Sequence, residues 1–390
     1  LLNFLYLDND YDFSKYNDLE TTFTPSNPSD CWSFEWLLKS VNISYKYTTT
    51  YSSKSFIKFN LMFPTEYSDL YRLPEEIWSK IKDNNDIFLL LYQATEATPF
   101  YFWKYRWNKL KDFLLEKDIP PEKVYYICGD LDAANNHKKY NDDYWSKINV
   151  LGIDIFEIMH LFRHLKISGN NYDQIISEHQ KAVKNKNFLN LNKRMRPNKQ
   201  ALIYYIHKHK LLDNNLVSNL WHESNILSKE DFDYWYNYDQ SEYKLVKKVV
   251  PKKLLLPLDD PNNDQHSDKD LYLKTKYSLV SETYTGNKIK FITEKTYKPI
   301  LMGHPFLIHG TSGTLEYLRS LGYETFPELF NENYDEQTDT KQQLHIVIEN
   351  LKRDIDIDKH ILEKCKHNQD LFLKQPTKNI IKDKLIKFLY

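Results

Sequence analysis

One stretch constrains the fold more than any other: residues 277–335, YSLVSETYTGNKIKFITEKTYKPILMGHPFLIHGTSGTLEYLRSLGYETFPELFNENYD. Five of the chain's eight glycines fall in it (Gly286, Gly303, Gly310, Gly313 and Gly322), each where one kind of element would hand over to another. Residues 277–281 are apolar and β-prone, and 305–309 form a second apolar run bounded by glycine. Between them, 293–302 reads as a helix with Thr293 at its N-cap and Pro299 as a bend. Residues 313–321 read as another helix, closed by Gly322 at the C′ position, and 323–326 as a short strand. Strand, helix, strand, helix, strand is the pattern of a parallel sheet with crossover helices.

In such sheets ligands bind beyond the carboxyl ends of the strands. That rule puts Glu282, Thr283, the loop before Thr293 and the Gly310-Thr311-Ser312-Gly313 turn on one rim. Thr293, Glu294 and Lys295 would form the first turn of a helix, whose free N–H groups favour an anion, and Lys295 adds a full positive charge. Glu294 is badly placed for a phosphate and well placed to accept from ribose hydroxyls. A plainer alternative stays open, in which Glu294 and Lys295 decorate a solvated helix start.

Length bounds the rest: 390 residues suggest two domains, each large enough for its own core. Lys+Arg 53 against Asp+Glu 54 gives a net charge of -1, so no global field draws the chain to nucleic acid or anionic lipid. The cysteines Cys31, Cys128 and Cys365 share no metal-ligand spacing, which points to a reducing compartment. No apolar run reaches the length of a membrane span, and LLNFLYLDND lacks the basic start of a signal peptide, so a cytoplasmic location is expected. Neither GxGxxG nor GxxxxGK[ST] occurs.

In the first half, 1–7 alternates like a strand, 31–41 has helical spacing, and 43–48 could follow as a strand. Residues 86–92 (DIFLLLY) and 124–128 (VYYIC) are continuous apolar runs of the length of buried parallel strands, separated by an aromatic-rich helix over 100–116. This order makes a second Rossmann-like domain. The aromatic cluster Phe100, Tyr101, Phe102, Trp103, Tyr105 and Trp107 is expected to be core in the main. Asp130-Leu131-Asp132 at the end of 124–128 could hold a divalent metal on a diphosphate. D-x-D also occurs at Asp8–Asp10, Asp231–Asp233 and Asp354–Asp356, so the motif by itself selects nothing, and no metal requirement is expected. His160 and His164 lie one turn apart on an amphipathic helix over 153–165 and read as surface or interdomain residues.

In the second half, 172–186 is polar and lysine-rich and reads as a linker or linker helix. A short strand at 188–191 leads into Asn192-Lys193-Arg194-Met195-Arg196-Pro197-Asn198-Lys199 and a helix to about 212. Arg194, Arg196 and Lys199, between a strand's carboxyl end and a helix start, make a diphosphate clamp, because guanidinium forks match phosphate oxygens. A solvated basic turn is the alternative; position on the rim that carries Glu282 and Thr293 favours the clamp. Residues 216–221 read as a further strand, and 342–351, 359–373 and 377–390 as helices, the last two a C-terminal pair that could pack back on the first domain.

The residues also carry a resemblance. FITEKTYKPILMGHPFLIHG (291–310) resembles the donor-site signature of the family-ten α1,3-fucosyltransferases, and FLNLNKRMRPNKQALIYYI (188–206) resembles that family's basic strand-to-helix turn. With SLVSET, TLEYLRSLGYETF and NENYD, the set is similar to a branch of glycosyltransferases of phages, large viruses and environmental bacteria. The likeness covers about 124–335 and is specific in 188–202 and 277–335. It implies the GT-B architecture: two Rossmann-like domains with a cleft between them, and a nucleotide-sugar, GDP-linked by preference, on the C-terminal domain. The domains would be 1–171 for the acceptor, 172–186 as linker, 187–358 for the donor and 359–390 as C-terminal helices.

Carried over residue by residue, Arg194 and Lys295 would bind the diphosphate and Glu294 the ribose, with Glu282 or Thr283 nearby. The implied reaction is inverting: a carboxylate deprotonates an acceptor hydroxyl, usually of a glycan, while cations take up charge on the departing diphosphate. SETYTGNKIKF before TEK departs from the family's compact Phe–Glu–Asn block, and no acceptor motif matches, so neither base nor acceptor carries over. Glu96, just after 86–92, is the candidate base and Asp130 the second. Two rivals follow: a metal-dependent transferase working through Asp130 and Asp132, and a non-catalytic or glycan-binding component of a virus particle or homo-oligomer that keeps the fold.

Overall fold

The structure is a computed structural model and describes residues 2–5, 33–48, 54–60, 70–71, 73–97, 104–139, 142–162, 172, 174–192, 196–220, 253–254 and 269–390. Arg194, Cys31, His164, Phe100, Tyr101, Phe102 and Trp103 lie outside the described residues. The chain forms two compact units, Leu1–Met159 with Thr377–Tyr390, and His160–Pro376.

The first unit is built on β1 (Leu2–Leu5), β2 (Tyr45–Thr48), β3 (Ser55–Asn60), β4 (Ile87–Gln93), β5 (Val124–Cys128) and β6 (Asn149–Gly152). They form one sheet in the order β2-β1-β3-β4-β5-β6, with every pairing parallel. This is a doubly wound order that reverses between β1 and β3. The helices are α1 (Phe34–Ser40), α2 (Glu75–Asp83), α3 (Lys104–Glu116), α4 (Ala133–Lys138) and α5 (Phe156–Leu161), the unit boundary falling within α5. The apolar runs of β4 and β5 are buried because both sheet faces are covered. On one face Trp107 meets Tyr126 at 5.2 Å and Trp145 at 5.3 Å. Trp107 is therefore core, whereas Tyr105, two residues earlier, is 81 % exposed. On the other face the C-terminal helix Thr377–Leu389 places Phe388 5.2 Å from Tyr125. The same helix is tied down at its start, where buried Glu157 accepts from the Thr377 N–H at 2.9 Å and from its hydroxyl.

The second unit holds β7 (Lys186–Asn190), β8 (Leu216–Val217), β11 (Thr275–Gly286) and β12 (Phe306–Thr311) in the order β12-β11-β7-β8, again all parallel; β9 (Asn219–Leu220) and β10 (Lys253–Leu254) form a separate antiparallel pair. Its helices are α6 (Ile175–Lys181), α7 (Pro197–Lys208), α8 (Lys269–Lys274), α9 (Glu294–Leu301), α10 (Thr314–Ser320), α11 (Thr340–Leu351) and α12 (Lys359–Lys374). Both units are thus α/β and Rossmann-like, parallel sheets flanked by helices.

Several local expectations need correction. Residues 323–326 are not a strand. The Glu324 N–H donates to the Asn368 side chain at 2.7 Å, and the Asn368 amide donates back to the Glu324 carbonyl at 2.8 Å. A residue of α12 thus supplies the bonds a neighbouring strand would have made. The lysine-rich segment 172–186 does carry a helix, as the linker-helix reading allowed: α6, whose Ile175, Ile176 and His179 are buried within the second unit. A Cβ on Gly303 (φ +57) would come within 2.4 Å of Ile176, so only glycine allows that approach. His160 is buried, its ring 6.1 Å from Phe372, and is not a surface residue.

A pair of stacked imidazoles sits under the amino end of β11. His179 and His304 lie 5.4 Å apart, and each has a carbonyl partner that fixes Nε2 as the protonated nitrogen: Met302 O at 2.9 Å and Thr275 O at 3.0 Å. The Nδ1 atoms accept, from Lys184 at 2.9 Å and from the Ser278 hydroxyl at 2.8 Å. Burial holds His179 down to about 4 and His304 well below the ordinary 6.5; buried His309 on β12 is likewise held at about 4. The unfolded chain gains protons below 6.5 that the folded unit refuses until about 4. Stability should be full above that ordinary value and fall as pH drops through this window, by on the order of 1–3 kcal/mol per histidine. Chemical-denaturation curves at stepped pH check this; His179→Gln and His304→Gln should flatten the dependence.

Candidate functional site

The site is organised by one carboxylate. Glu282 is 0 % exposed and lies near the carboxyl end of β11, where the register with β12 slips between Ser281 and Gly286. Its Oε1 accepts from the Thr293 N–H at 3.1 Å and the Thr296 hydroxyl at 2.7 Å. Its Oε2 accepts from the Thr293 hydroxyl at 2.8 Å and the Thr283 N–H at 3.1 Å. Gly310 on the neighbouring strand leaves room for this side chain, since a Cβ there would lie 3.3 Å from the Glu282 Cβ and Cγ.

Two helix starts meet at this residue. The N-cap of α9 is Thr293, bound to the Glu282 carboxylate. The start of α7 is bound to the Glu282 carbonyl by the Asn198 amide at 3.0 Å. Pro197 opens α7 at a position where its missing N–H costs nothing, with Arg196 as N-cap. Neither Thr296 nor Asn198 is singled out by sequence reasoning; the T-x-x-T spacing of Thr293 and Thr296 was the available signal for the first.

Around this junction the side chains are mostly cationic. Lys295 Nζ donates to the Thr293 hydroxyl at 2.9 Å and to Glu294 at 3.0 Å. Burial pushes the Glu294 carboxyl up, but the Lys295 and Lys298 charges outweigh it and hold it at about 2. Burial also opposes charge on Lys295, yet Glu294 and Glu282 raise its proton affinity above the ordinary lysine value. The Arg196 guanidinium lies 5.5 Å from the centre of the Tyr284 ring, a cation–π distance. Lys199 is 3 % exposed, and among the described residues no hydrogen bond or ion pair reaches its amine. Burial, then the Lys295 and Arg196 charges, bring it down to about 7 against the opposing pull of Glu282 and Glu294. A buried lysine with no ion pair among the described residues suits an anion, since a buried charge is costly without a partner.

Gly310 and Ser312 belong to a turn that is already satisfied by protein. Ser312 donates its N–H to the Gly286 carbonyl at 2.8 Å and its hydroxyl to the Gln337 carbonyl. Gly313, in the left-handed region at φ +76, donates to the Asp335 carbonyl at 2.7 Å. The Asp335 carboxylate accepts from the Leu315 N–H at 3.0 Å and the Glu316 N–H at 3.2 Å. The start of α10 is capped from a residue distant in sequence, so its amides are taken. Gly310 makes space, and Ser312 holds the turn.

In the first unit, Glu96 follows β4 and is half-buried, its carbonyl accepting from the Gly129 N–H at 2.9 Å. Asp130 follows β5 and is buried. Its Oδ1 accepts from the Asp132 N–H at 3.1 Å and its Oδ2 from the Asn136 amide at 2.8 Å, so it shapes the turn into α4. A Cβ on Gly152 would lie 1.9 Å from the Asp130 carbonyl oxygen, which explains glycine at the end of β6. Among the described residues, no group of three His, Cys, Asp or Glu side chains is placed to hold a metal ion, and no helix is long and apolar enough to cross a membrane.

No protein-family model matches the chain, and no curated protein matches it. Solved structures that resemble it include these two. One is an α1,3-fucosyltransferase, at 12 % identity and TM-score 0.37, covering 100 % of this chain and 90 % of that one. The other is the N-terminal domain of Candida albicans trehalose-6-phosphate phosphatase, at 12 % identity and TM-score 0.40, covering 98 % and 83 %. Likeness at that level assigns neither a family nor an activity.

Two substitutions separate scaffold from ligand groups. Glu282→Ala leaves buried donors unpaired and should cost on the order of 2–4 kcal/mol in urea unfolding. Asp335→Ala should cost about 1–2 kcal/mol through the lost cap, with no change in ligand affinity measured under folding conditions.

Proposed function

We propose that the protein is a glycosyltransferase that takes a sugar from a nucleoside-diphosphate donor to a hydroxyl acceptor, and that the second unit holds the donor. One observation supports this above the rest: the buried Lys199 side chain, without an ion pair among the described residues, acted on by the Arg196 and Lys295 charges at the carboxyl edge of a parallel sheet. Three cations and two helix starts suit a diphosphate, which two adjacent phosphate charges make the strongest anion of its size in common donors. Glu294, kept ionised by its lysine neighbours, is an acceptor for ribose hydroxyls. Arg194 joins the clamp on the strength of the family resemblance.

In the reaction, the sugar C1–oxygen bond breaks with its electrons going to the diphosphate, and the acceptor oxygen attacks from the opposite face. Arg196, Lys199 and Lys295 stabilise the charge that develops on the leaving group, the task a divalent metal performs elsewhere. Glu96, just after β4, is the proposed base, with Asp130 at the end of β5 the second candidate. The donor is proposed to be GDP-linked, with fucose the first sugar to try and a glycan the acceptor class.

Thermal shift with GDP, UDP, GDP-fucose and UDP-glucose tests the reading. A ligand at 100 times its Kd stabilises the native state by about 2.7 kcal/mol. Arg196→Ala and Lys295→Ala should each weaken that ligand by roughly 10- to 100-fold, the worth of a charge-assisted bond. Turnover should survive EDTA and be lost in Glu96→Gln. Silence from every nucleotide would remove the proposal.

A further inference from the structure

Lys199 differs from the other cations of the site in one respect. Lys295 has Glu294 at 3.0 Å, and Arg196 has the face of Tyr284. Lys199 has neither carboxylate nor ring in contact among the described residues, and it is almost wholly out of water. Glu282, one of the two carboxylates that act on it, has both oxygens filled by threonine and backbone donors. The groups that act on the Lys199 amine are Arg196 on its own helix, Glu282 on β11, and Glu294 and Lys295 on α9. Two are positive, and both negative ones are committed to other partners.

We propose that Lys199 takes up a proton when a diphosphate enters this site and gives it back when the site empties. The proposal rests on the donor-site reading above and adds a regulation to it. Without a bound anion the ammonium is disfavoured first by burial and then by the Lys295 and Arg196 charges, with no carboxylate in contact among the described residues, and this brings it down to about 7. A bound diphosphate supplies the missing counterion and makes the ammonium the stable form. The proton comes from solvent, and no other co-reactant is needed. Donor affinity should then be highest below about 7 and decline as pH rises through the interval between the empty-site and filled-site values. Within that interval the slope is about tenfold in Kd per pH unit for one linked proton. Activity at alkaline pH should fail through donor binding, so that KM rises before kcat falls.

The test is calorimetric titration of the full chain with GDP-fucose and with UDP-glucose, whose diphosphates are diesters and do not themselves titrate near neutrality. Titrations near pH 8 in Tris and in HEPES, which differ in heat of ionisation, give the number of protons taken up. The expected result is uptake approaching one proton per ligand, and a Kd that rises about tenfold per pH unit above neutrality. Lys199→Arg, which keeps a charge that does not titrate, should bind with no buffer-dependent heat and a flat pH profile. Lys199→Met should bind more weakly, also without linkage. Tight binding of either sugar nucleotide with no proton uptake in the wild-type protein would overturn the proposal and leave the donor site standing. Absence of binding from pH 6 to 9 would overturn both.

Discussion

The second unit depends on how it houses a carboxylate out of water. An ionised side chain in the interior is expensive unless its lone pairs are used, and the partners of Glu282 are neutral donors supplied by its own strand and by the first turn of α9. Because the carboxylate fixes α9 while its carbonyl fixes α7, a single residue sets the separation and direction of two helix starts. With its lone pairs filled by threonine and backbone donors, Glu282 acts on Lys295 and Lys199 through its charge and not through a direct ion pair among the described residues.

Much of this was legible in the chain and some was not. The strands β4 and β5 announce themselves as apolar runs too short for helices, and Thr293 marks the start of α9 by its type and place. These signals are local. The strand β3, SFIKFN, was hidden because Lys58 interrupts it; that lysine is buried against Glu35 of α1, a partner no window on β3 contains. Residues 323–326 looked like a strand and were not, for the same reason in reverse: their partner, Asn368, lies on α12. Asp335 capping α10 is a third case. Periodicity reports which face an element hides, and it is silent about polar side chains that arrive from far along the chain.

The acidic turn after β5 makes the complementary point about charge. A carboxylate at a strand's carboxyl end is in the right place for chemistry, yet Asp130 spends both oxygens on Asp132 and Asn136. Position alone does not make a functional group available. Lys199 has the same kind of placement and, among the described residues, no such commitments, and that contrast separates the two more sharply than residue type does. The near-zero net charge of the chain is silent on this, since a sum over all residues carries no information about where the charges lie.

The C-terminal helix Thr377–Leu389 returns to the first unit after the whole of the second has intervened. Synthesis proceeds from the amino end, so the six-stranded sheet emerges complete long before the helix that covers its Tyr125 face exists. Until then Tyr125, which packs edge-on against Phe56 and Phe88, lacks its contact with Phe388. The half that is translated first is therefore the half that closes last.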